Sequence, residues 1–344
     1  MALRVGIVGA GHTGVDQALR LRRYPDVEIV GVADPDRPAR DAFAHRFGVR
    51  LSVSDHHRLV SEEQIDLIYV CSPPNTHSTV AIDSLRSGKH VICHPPMAIT
   101  IGQADEMLAV AETSEGRLFI ALPQRYDPAF QETARIIESG EIGYPFLVLM
   151  SCLYNEFDRL NDWHDWVGSW DTGGGGVLMQ FGSGVVDILQ SLFGEIGAVS
   201  AVCTRFAIEP LTKAEDSCLL SLEFQEDLSA EVAISGAARY SAWPENYRTS
   251  ATRLEVYGLD GSIQISSSDP RLIVASRRIR RRVMTDSDLP RVLPTDMDRD
   301  FLDSILHQRD PLVTAEDARQ ALRVVLAGYK ASQMKRRVET LEKL

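Results

Sequence analysis

The residues best placed to do chemistry fall into two groups. The first is Gly9-Ala10-Gly11-His12-Thr13-Gly14, a G-x-G-x-x-G turn, with Asp34 20 positions beyond Gly14. Glycine at 9 permits a tight turn, glycine at 11 lets the backbone approach a pyrophosphate, and glycine at 14 lets a helix pack close to a strand. A helix from about Gly14 to Arg23 follows, and its start, beside His12 and Thr13, offers N–H donors to the phosphates. Asp34 can accept hydrogen bonds from an adenosine ribose and repels a 2′-phosphate, so NAD is favoured; Arg37 and Arg40 leave NADP open. The second group handles protons: His94, which titrates near neutrality, Tyr126, Tyr154 and His164. Arg125 can clamp a carboxylate or phosphate. A positioned base of this kind can take a hydroxyl proton from a small polar or cyclic substrate. The bland alternatives stay open, since a strand-end tyrosine is commonly a packed residue with a satisfied hydroxyl.

The elements that must position these residues follow from periodicity. Apolar, β-branched runs at 3–9, 27–33, 65–71, 89–93 and 117–121 read as strands buried on both faces, with helices between them. That alternation predicts a doubly wound parallel sheet over residues 1–122. The rhythm changes after Pro123. A helix at 127–139 precedes a strand near 145–154, a Gly-rich helix at 173–193, and alternating strands at 197–207, 217–224, 229–235, 252–257 and 262–266. Residues 123–344 therefore read as an α+β domain with an open, mostly antiparallel sheet, closed by helices at 298–308 and 315–336. Thr314 and Asp317 have capping-box spacing. The run RRIRRR at 277–282 reads as a charged sheet edge. Trp163, Trp166 and Trp170 suggest a platform for a flat or sugar-like ligand, which Gly173 to Gly176 would let the backbone approach.

The bulk numbers exclude other classes. Of 344 residues, 44% are apolar and 24% charged, as in soluble proteins with large cores. A net charge of −12 argues against a nucleic-acid surface. Five scattered cysteines without a C-x-x-C pair read as free thiols in a reducing, cytoplasmic setting. The apolar start lacks a cleavage pattern, and no apolar run reads as long enough for a membrane span. His56-His57 lacks companion ligand spacing, so no metal is expected.

Three further segments carry a resemblance. GKHVICHPPMA at 88–98 resembles the GKHVxCEKPxA segment of the Gfo/Idh/MocA family of nicotinamide-dependent oxidoreductases. CSPPNTH at 71–77 resembles its (T/S)PPxxxH segment, and PQRYDP at 123–128 its (N/Q)R(F/Y)xP junction. The resemblance implies an NAD-binding Rossmann domain followed by a substrate domain. It implies that Ser72, Pro73, Pro74, Asn75 and His77 line the dinucleotide groove, and that the second domain's sheet forms a homodimer or homotetramer. It also shows what is missing. The family's lysine is Pro95 here, and in its GGGxLxDxGxHxxD signature Gln180 replaces the aspartate and Gly184 the histidine, while Asp187 is kept. His94 holds the family's glutamate place. On this resemblance Gln180 and Asp187, with Arg125 and Trp163, are the expected substrate-binding residues. The expectation is an NAD-dependent oxidoreductase with a rebuilt acid–base site. Its rivals are a nucleotide-binding regulator or inactive partner, and an enzyme using tightly bound NAD within one turnover without net redox.

Overall fold

A computed structural model describes residues 2–160, 165–206, 214–225, 227–238 and 251–342. The chain forms two compact units: Met1–Leu122 with Met297–Arg319, and Pro123–Asp296 with Gln320–Leu344.

In the first unit, strands β1 (Leu3–Val8), β2 (Val27–Ala33), β3 (Leu51–Val53), β4 (Leu67–Val70), β5 (His90–Cys93) and β6 (Leu118–Ile120) alternate with helices. These are α1 (His12–Leu21), α2 (Arg37–Phe47), α3 (His56–Val60), α4 (Pro74–Arg86) and α5 (Ile101–Thr113). The sheet order is β3-β2-β1-β4-β5-β6, and every pairing is parallel. The central strands are apolar on both faces because helices cover both, so Val5, Ile7, Leu67, Ile68 and Val70 are fully buried. The strand order reverses at β1 and β4. Carboxyl ends of strands at such a reversal open a crevice for ligands.

The second unit holds α6 (Pro128–Glu138), β7 (Pro145–Leu153), α7 (Phe157–Leu160), α8 (Trp170–Gly173) and α9 (Val177–Phe193). Strands β8 (Ile196–Thr204), β9 (Ser217–Phe224), β10 (Ser229–Ser235), β11 (Ala251–Gly258), β12 (Gly261–Ser266), β13 (Leu272–Ser276) and β14 (Arg282–Met284) follow. With β15 (Val338–Glu339) they form a nine-stranded sheet ordered β14-β13-β12-β11-β7-β10-β9-β8-β15. All pairings are antiparallel except β10 with β7. The arginine run precedes and enters the edge strand β14, as its charge pattern predicts.

Two helices complete the chain, α10 (Met297–His307) and α11 (Ala315–Met334). The capping box forms: the Asp317 amide donates to Thr314 Oγ1 at 3.2 Å, and the Thr314 amide donates to Asp317 Oδ2 at 2.8 Å. A single division after residue 122 misplaces α10, which belongs to the first unit. Asp298 on α10 is fully buried there. It accepts a hydrogen bond from Gln17 at 2.9 Å and pairs with Arg20 at 2.8 Å, while Phe301 packs on Phe119 with ring centroids 5.1 Å apart.

The apolar content of Trp170–Phe193 is also a correction. It is 24 residues long, and its most apolar 18-residue window has mean hydropathy 1.3, long and apolar enough to cross a membrane, yet 67% of that window is buried inside the protein. Its longer part, α9, is the core helix of the second unit.

Candidate active site

The glycine turn of the first unit has the geometry its sequence demands. Gly9 sits at φ +102°, and a Cβ there would lie 2.6 Å from the Cys71 carbonyl group. A Cβ on Gly14 would lie 1.9 Å from the Gly9 carbonyl oxygen, so only glycine lets α1 start so close to β1. A Cβ on Gly11 would meet nothing within 4 Å. Gly11 caps α1 with no side-chain acceptor, and no acidic residue lies in the first turn. The N–H groups of His12, Thr13 and Gly14 precede the first intrahelical bond, made by Val15 to Gly11 at 3.0 Å. An open cradle faced by a helix start suits a diphosphate. At the end of β2, Asp34 Oδ2 accepts from the Ala10 amide at 2.7 Å and Oδ1 from the Asp36 amide at 2.8 Å. The carboxylate is thus fixed beside the turn, with lone pairs left for ribose hydroxyls. Arg40 donates to the Asp34 and Pro35 carbonyl oxygens, and Arg37 pairs with Asp41, so neither points a fork at a 2′-phosphate by default. These residues fit NAD.

The 72–77 segment is partly different from its expected role. Pro73 caps α4 and Pro74 opens it. Ser72 Oγ bonds Thr76 Oγ1 at 2.7 Å, and Asn75 Oδ1 is buried without a partner. His77, expected to line the groove, is 1% exposed. Its Nδ1 lies 2.7 Å from the Pro96 carbonyl oxygen and its Nε2 2.7 Å from that of Ser72. It pins the 72–77 turn to the His94-Pro95-Pro96 segment. Burial pushes its pKa down, against the opposing pull of the two carbonyls. His94 lies half-buried just after β5, its Nδ1 3.1 Å from the Pro95 carbonyl oxygen.

In the second unit four of the expected site residues are engaged or buried within the protein. Arg125 does clamp a carboxylate, but it is the protein's own. Its Nε and Nη2 donate to the two oxygens of fully buried Asp187 at 3.0 and 2.6 Å. Both expected substrate binders therefore hold each other. Tyr126 is 3% exposed, too buried to serve as a ready proton donor. Tyr154 stacks on Phe181 at 3.7 Å between centroids and hydrogen-bonds Cys152; burial pushes its hydroxyl pKa far up. His164 and Trp163 lie outside the described residues.

The glycines before α9 also serve another purpose. A Cβ on Gly173 would strike the Trp166 carbonyl at 2.5 Å, one on Gly175 the Tyr329 hydroxyl at 2.1 Å, and one on Gly176 the Glu215 carbonyl at 1.9 Å. They admit neighbouring protein backbone and side chain rather than a ligand. The start of α9 is capped from within: Glu215 accepts from the Gly176 and Leu178 amides at 3.0 and 2.9 Å, and from the Tyr329 hydroxyl at 2.6 Å. The aromatic platform is likewise in use, with Arg159 over Trp166 at 5.5 Å and Trp170 edge-on to Tyr329.

What fills the missing histidine's place is Gln124. A Cβ on Gly184 would lie 2.4 to 2.7 Å from the Gln124 amide atoms. Gln180 hydrogen-bonds Glu156. Glu156 pairs with Arg159 at 3.0 Å, and Arg159 with Asp165 at 2.9 Å. Burial raises the Glu156 pKa, against the lowering pull of Arg159. The amide oxygens Gln124 Oε1 and Gln180 Oε1 are both buried without a protein partner. Gln124 lies in the PQRYDP segment, but neither its place beside Gly184 nor the role of Glu156 stood out in the sequence. Their importance rests on contacts between distant residues, and no local spacing announces them.

Asp55, His56 and His57 bring ligand atoms within 4.8 Å of one another, so the histidine pair has companions that its spacing did not show. His56 Nε2 lies 3.0 Å from Asp83 and Nδ1 3.5 Å from Asp55. Carboxylates already account for both of its ring nitrogens.

Comparison with known proteins gives the class. Residues 3–122 match the description "Oxidoreductase family, NAD-binding Rossmann fold", and residues 134–340 match "Oxidoreductase family, C-terminal alpha/beta domain". The chain belongs to the Gfo/Idh/MocA oxidoreductase family and is an NAD-binding enzyme of that family. It is 24% identical to myo-inositol 2-dehydrogenase of Thermotoga maritima over 99% of each chain. It is 24% identical to D-apiose dehydrogenase of Paraburkholderia graminis, over 79% of this chain and 69% of the relative. Its fold matches levoglucosan dehydrogenase in complex with NADH, with a TM-score of 0.86, 21% identity and full coverage of both chains.

Proposed function

We propose that this enzyme is an NAD-dependent dehydrogenase of a small, neutral, polyhydroxylated substrate of the sugar or cyclic-polyol class. Its substrate site is rebuilt on glutamine amides and Glu156. The supporting observation is a pair of unpartnered amide oxygens: Gln180 Oε1, at the position where the family signature carries an aspartate, and Gln124 Oε1, beside Gly184, where it carries a histidine. A buried acceptor left without a donor costs about 1–3 kcal/mol. A substrate carrying several hydroxyl donors satisfies both. The names of the inositol, apiose and levoglucosan dehydrogenases point to the same chemical class.

The bound nicotinamide supplies the hydride acceptor or donor. This chain's residues must then place the hydroxyl-bearing carbon and handle its proton. Gln180 orients a hydroxyl with its amide oxygen while its amide nitrogen holds Glu156. Glu156 takes the proton, and its raised pKa brings it nearer to neutral working pH, where a general base exchanges protons most effectively. His94, just after β5, is the titratable residue this reading assigns to the first unit. The same reading assigns a cytoplasmic location and a homodimer or homotetramer through the outer sheet face, where Leu149, Val202 and Leu219 are exposed; equilibrium sedimentation of Leu219→Glu tests that face.

The test is NADH formation with a panel of cyclic polyols, anhydrosugars and aldopentoses. Glu156→Gln should lower turnover on the accepted substrate by about 10²–10⁴-fold with NADH affinity unchanged. Unaltered turnover would refute Glu156, and no turnover across the panel would refute the substrate class.

A further inference from the structure

Two cysteines outside the substrate site face each other. Cys203 on β8 and Cys218 on β9 are register partners in the antiparallel pairing, and their sulfurs lie 3.3 Å apart. The Cys203 amide donates to Ser332 Oγ at 3.0 Å, on the side away from β9. That makes the two a non-hydrogen-bonded pair, in which facing Cα atoms lie about 4.5 Å apart. This spacing falls inside the disulfide window of about 4.4–6.8 Å. Cys218 is 1% exposed, whereas Cys203 is half-buried and lines a cavity of about 230 Å³ with Arg205, Glu215 and Tyr329. The other three thiols, Cys71, Cys93 and Cys152, are buried.

We propose that Cys203 and Cys218 are a redox-modifiable dithiol that closes to an intrachain disulfide by exchange with a small soluble disulfide such as glutathione disulfide. Cys203, the sulfur that solvent reaches, attacks as thiolate and forms a mixed disulfide, releasing one equivalent of the small thiol. Cys218 loses its proton and attacks Cys203, releasing the second equivalent. Two protein thiols and one small disulfide become one protein disulfide and two small thiols, so electrons and protons balance. Its greater exposure makes Cys203 the first to react, while hydrogen bonding to Cys203 and burial push the Cys218 pKa up and keep it a thiol until the mixed disulfide forms. The closed bond ties β8 to the start of β9. There Glu215 and Asp216 precede Cys218, and Glu215 caps α9. The site is independent of the substrate reading above.

The test uses the full-length native protein equilibrated in glutathione buffers of stepped oxidised-to-reduced ratio, then quenched by alkylation and read by intact mass and peptide mapping. Expected is a loss of two hydrogens per chain, a single linked peptide joining Cys203 to Cys218, and full reversal by dithiothreitol. Cys218→Ser should accumulate a stable glutathione adduct on Cys203, and Cys203→Ser should give neither product. Thiols that stay free in the native protein at every ratio would overturn the proposal. So would an adduct on Cys203 that Cys218 never resolves, or a disulfide that uses Cys71, Cys93 or Cys152.

Discussion

Two glycine-rich helix starts occur in this chain, and they do opposite things. At α1 the turn around Gly11 is open, carries no internal cap and presents its N–H groups outward. At α9 the glycines 173–176 are packed against Trp166, Tyr329 and Glu215, and a buried carboxylate already occupies the helix start. Both satisfy the same demand, since the first N–H groups of a helix need acceptors and its dipole favours a negative charge there. In one case the fold leaves the place to a ligand. In the other it supplies Glu215. Glycine content alone therefore does not announce a ligand; what a Cβ would strike does.

The comparison breaks most readily at Glu215. Glu215→Ala removes three hydrogen bonds from a buried cap and should destabilise the second unit by about 3–5 kcal/mol. NAD binding to folded protein should not change. Urea unfolding beside calorimetric NADH titration reads both, and a variant of ordinary stability would mean that the internal cap is ornamental.

The mirror experiment is at the open start. Gly11→Val has room for its side chain and should leave the melting temperature unchanged while blocking the diphosphate. Asp34→Ser should weaken NAD binding by about 1.5–3 kcal/mol, the worth of hydrogen bonds to a charged group, and narrow the preference for NAD over NADP. Titrations with both dinucleotides check this; an unchanged preference would remove Asp34 from the ribose.

These contrasts show where the sequence was legible. The first unit's sheet was readable because its constraints are local: strand, glycine turn, helix, then Asp34. The C-terminal capping box at Thr314 and Asp317 was readable for the same reason. The destination of α10 was not, because an amphipathic helix does not say which sheet it will cover. Nor was the pairing of Arg125 with Asp187, where each looked like a ligand for something else until the fold brought them together. Gln124 beside Gly184 and Glu156 beside Gln180 were hidden in the same way. The losses at Pro95, Gln180 and Gly184 were visible, but the side chains that lie beside Gln180 and Gly184 come from other elements.

Restoring the family residue at 184 sharpens the point. Gly184→His must push its Cβ into the Gln124 amide, 2.4 to 2.7 Å away, and overpacking of this kind costs about 1–3 kcal/mol. Gln124→Ala should relieve most of that cost, so the double variant should be more stable than the sum of the two single changes. Additive effects in a thermal double-mutant cycle would show that Gln124 does not hold the histidine's place.

The smallest effect is on pH dependence, and it separates two glutamates, half-buried Glu156 and buried Glu215. Burial raises the pKa of both Glu156 and Glu215 in the folded protein. Between the unfolded value, about 4.3, and the raised folded value, the native state holds more protons than the unfolded chain. Stability from each group is therefore complete below the unfolded pKa and declines as pH rises through the folded one. Glu156→Gln should flatten that decline without abolishing it, because Glu215 still contributes. Arg159 keeps Asp165 as a partner at 2.9 Å, so the substitution does not strand a cation. Melting temperatures measured from acid to neutral pH should converge at the acid end and differ by about 2 °C or less at neutrality. A decline as steep in Glu156→Gln as in the wild type would mean that Glu156 is as readily ionised in the fold as in water, and would take from it the elevated proton affinity on which its role as base depends.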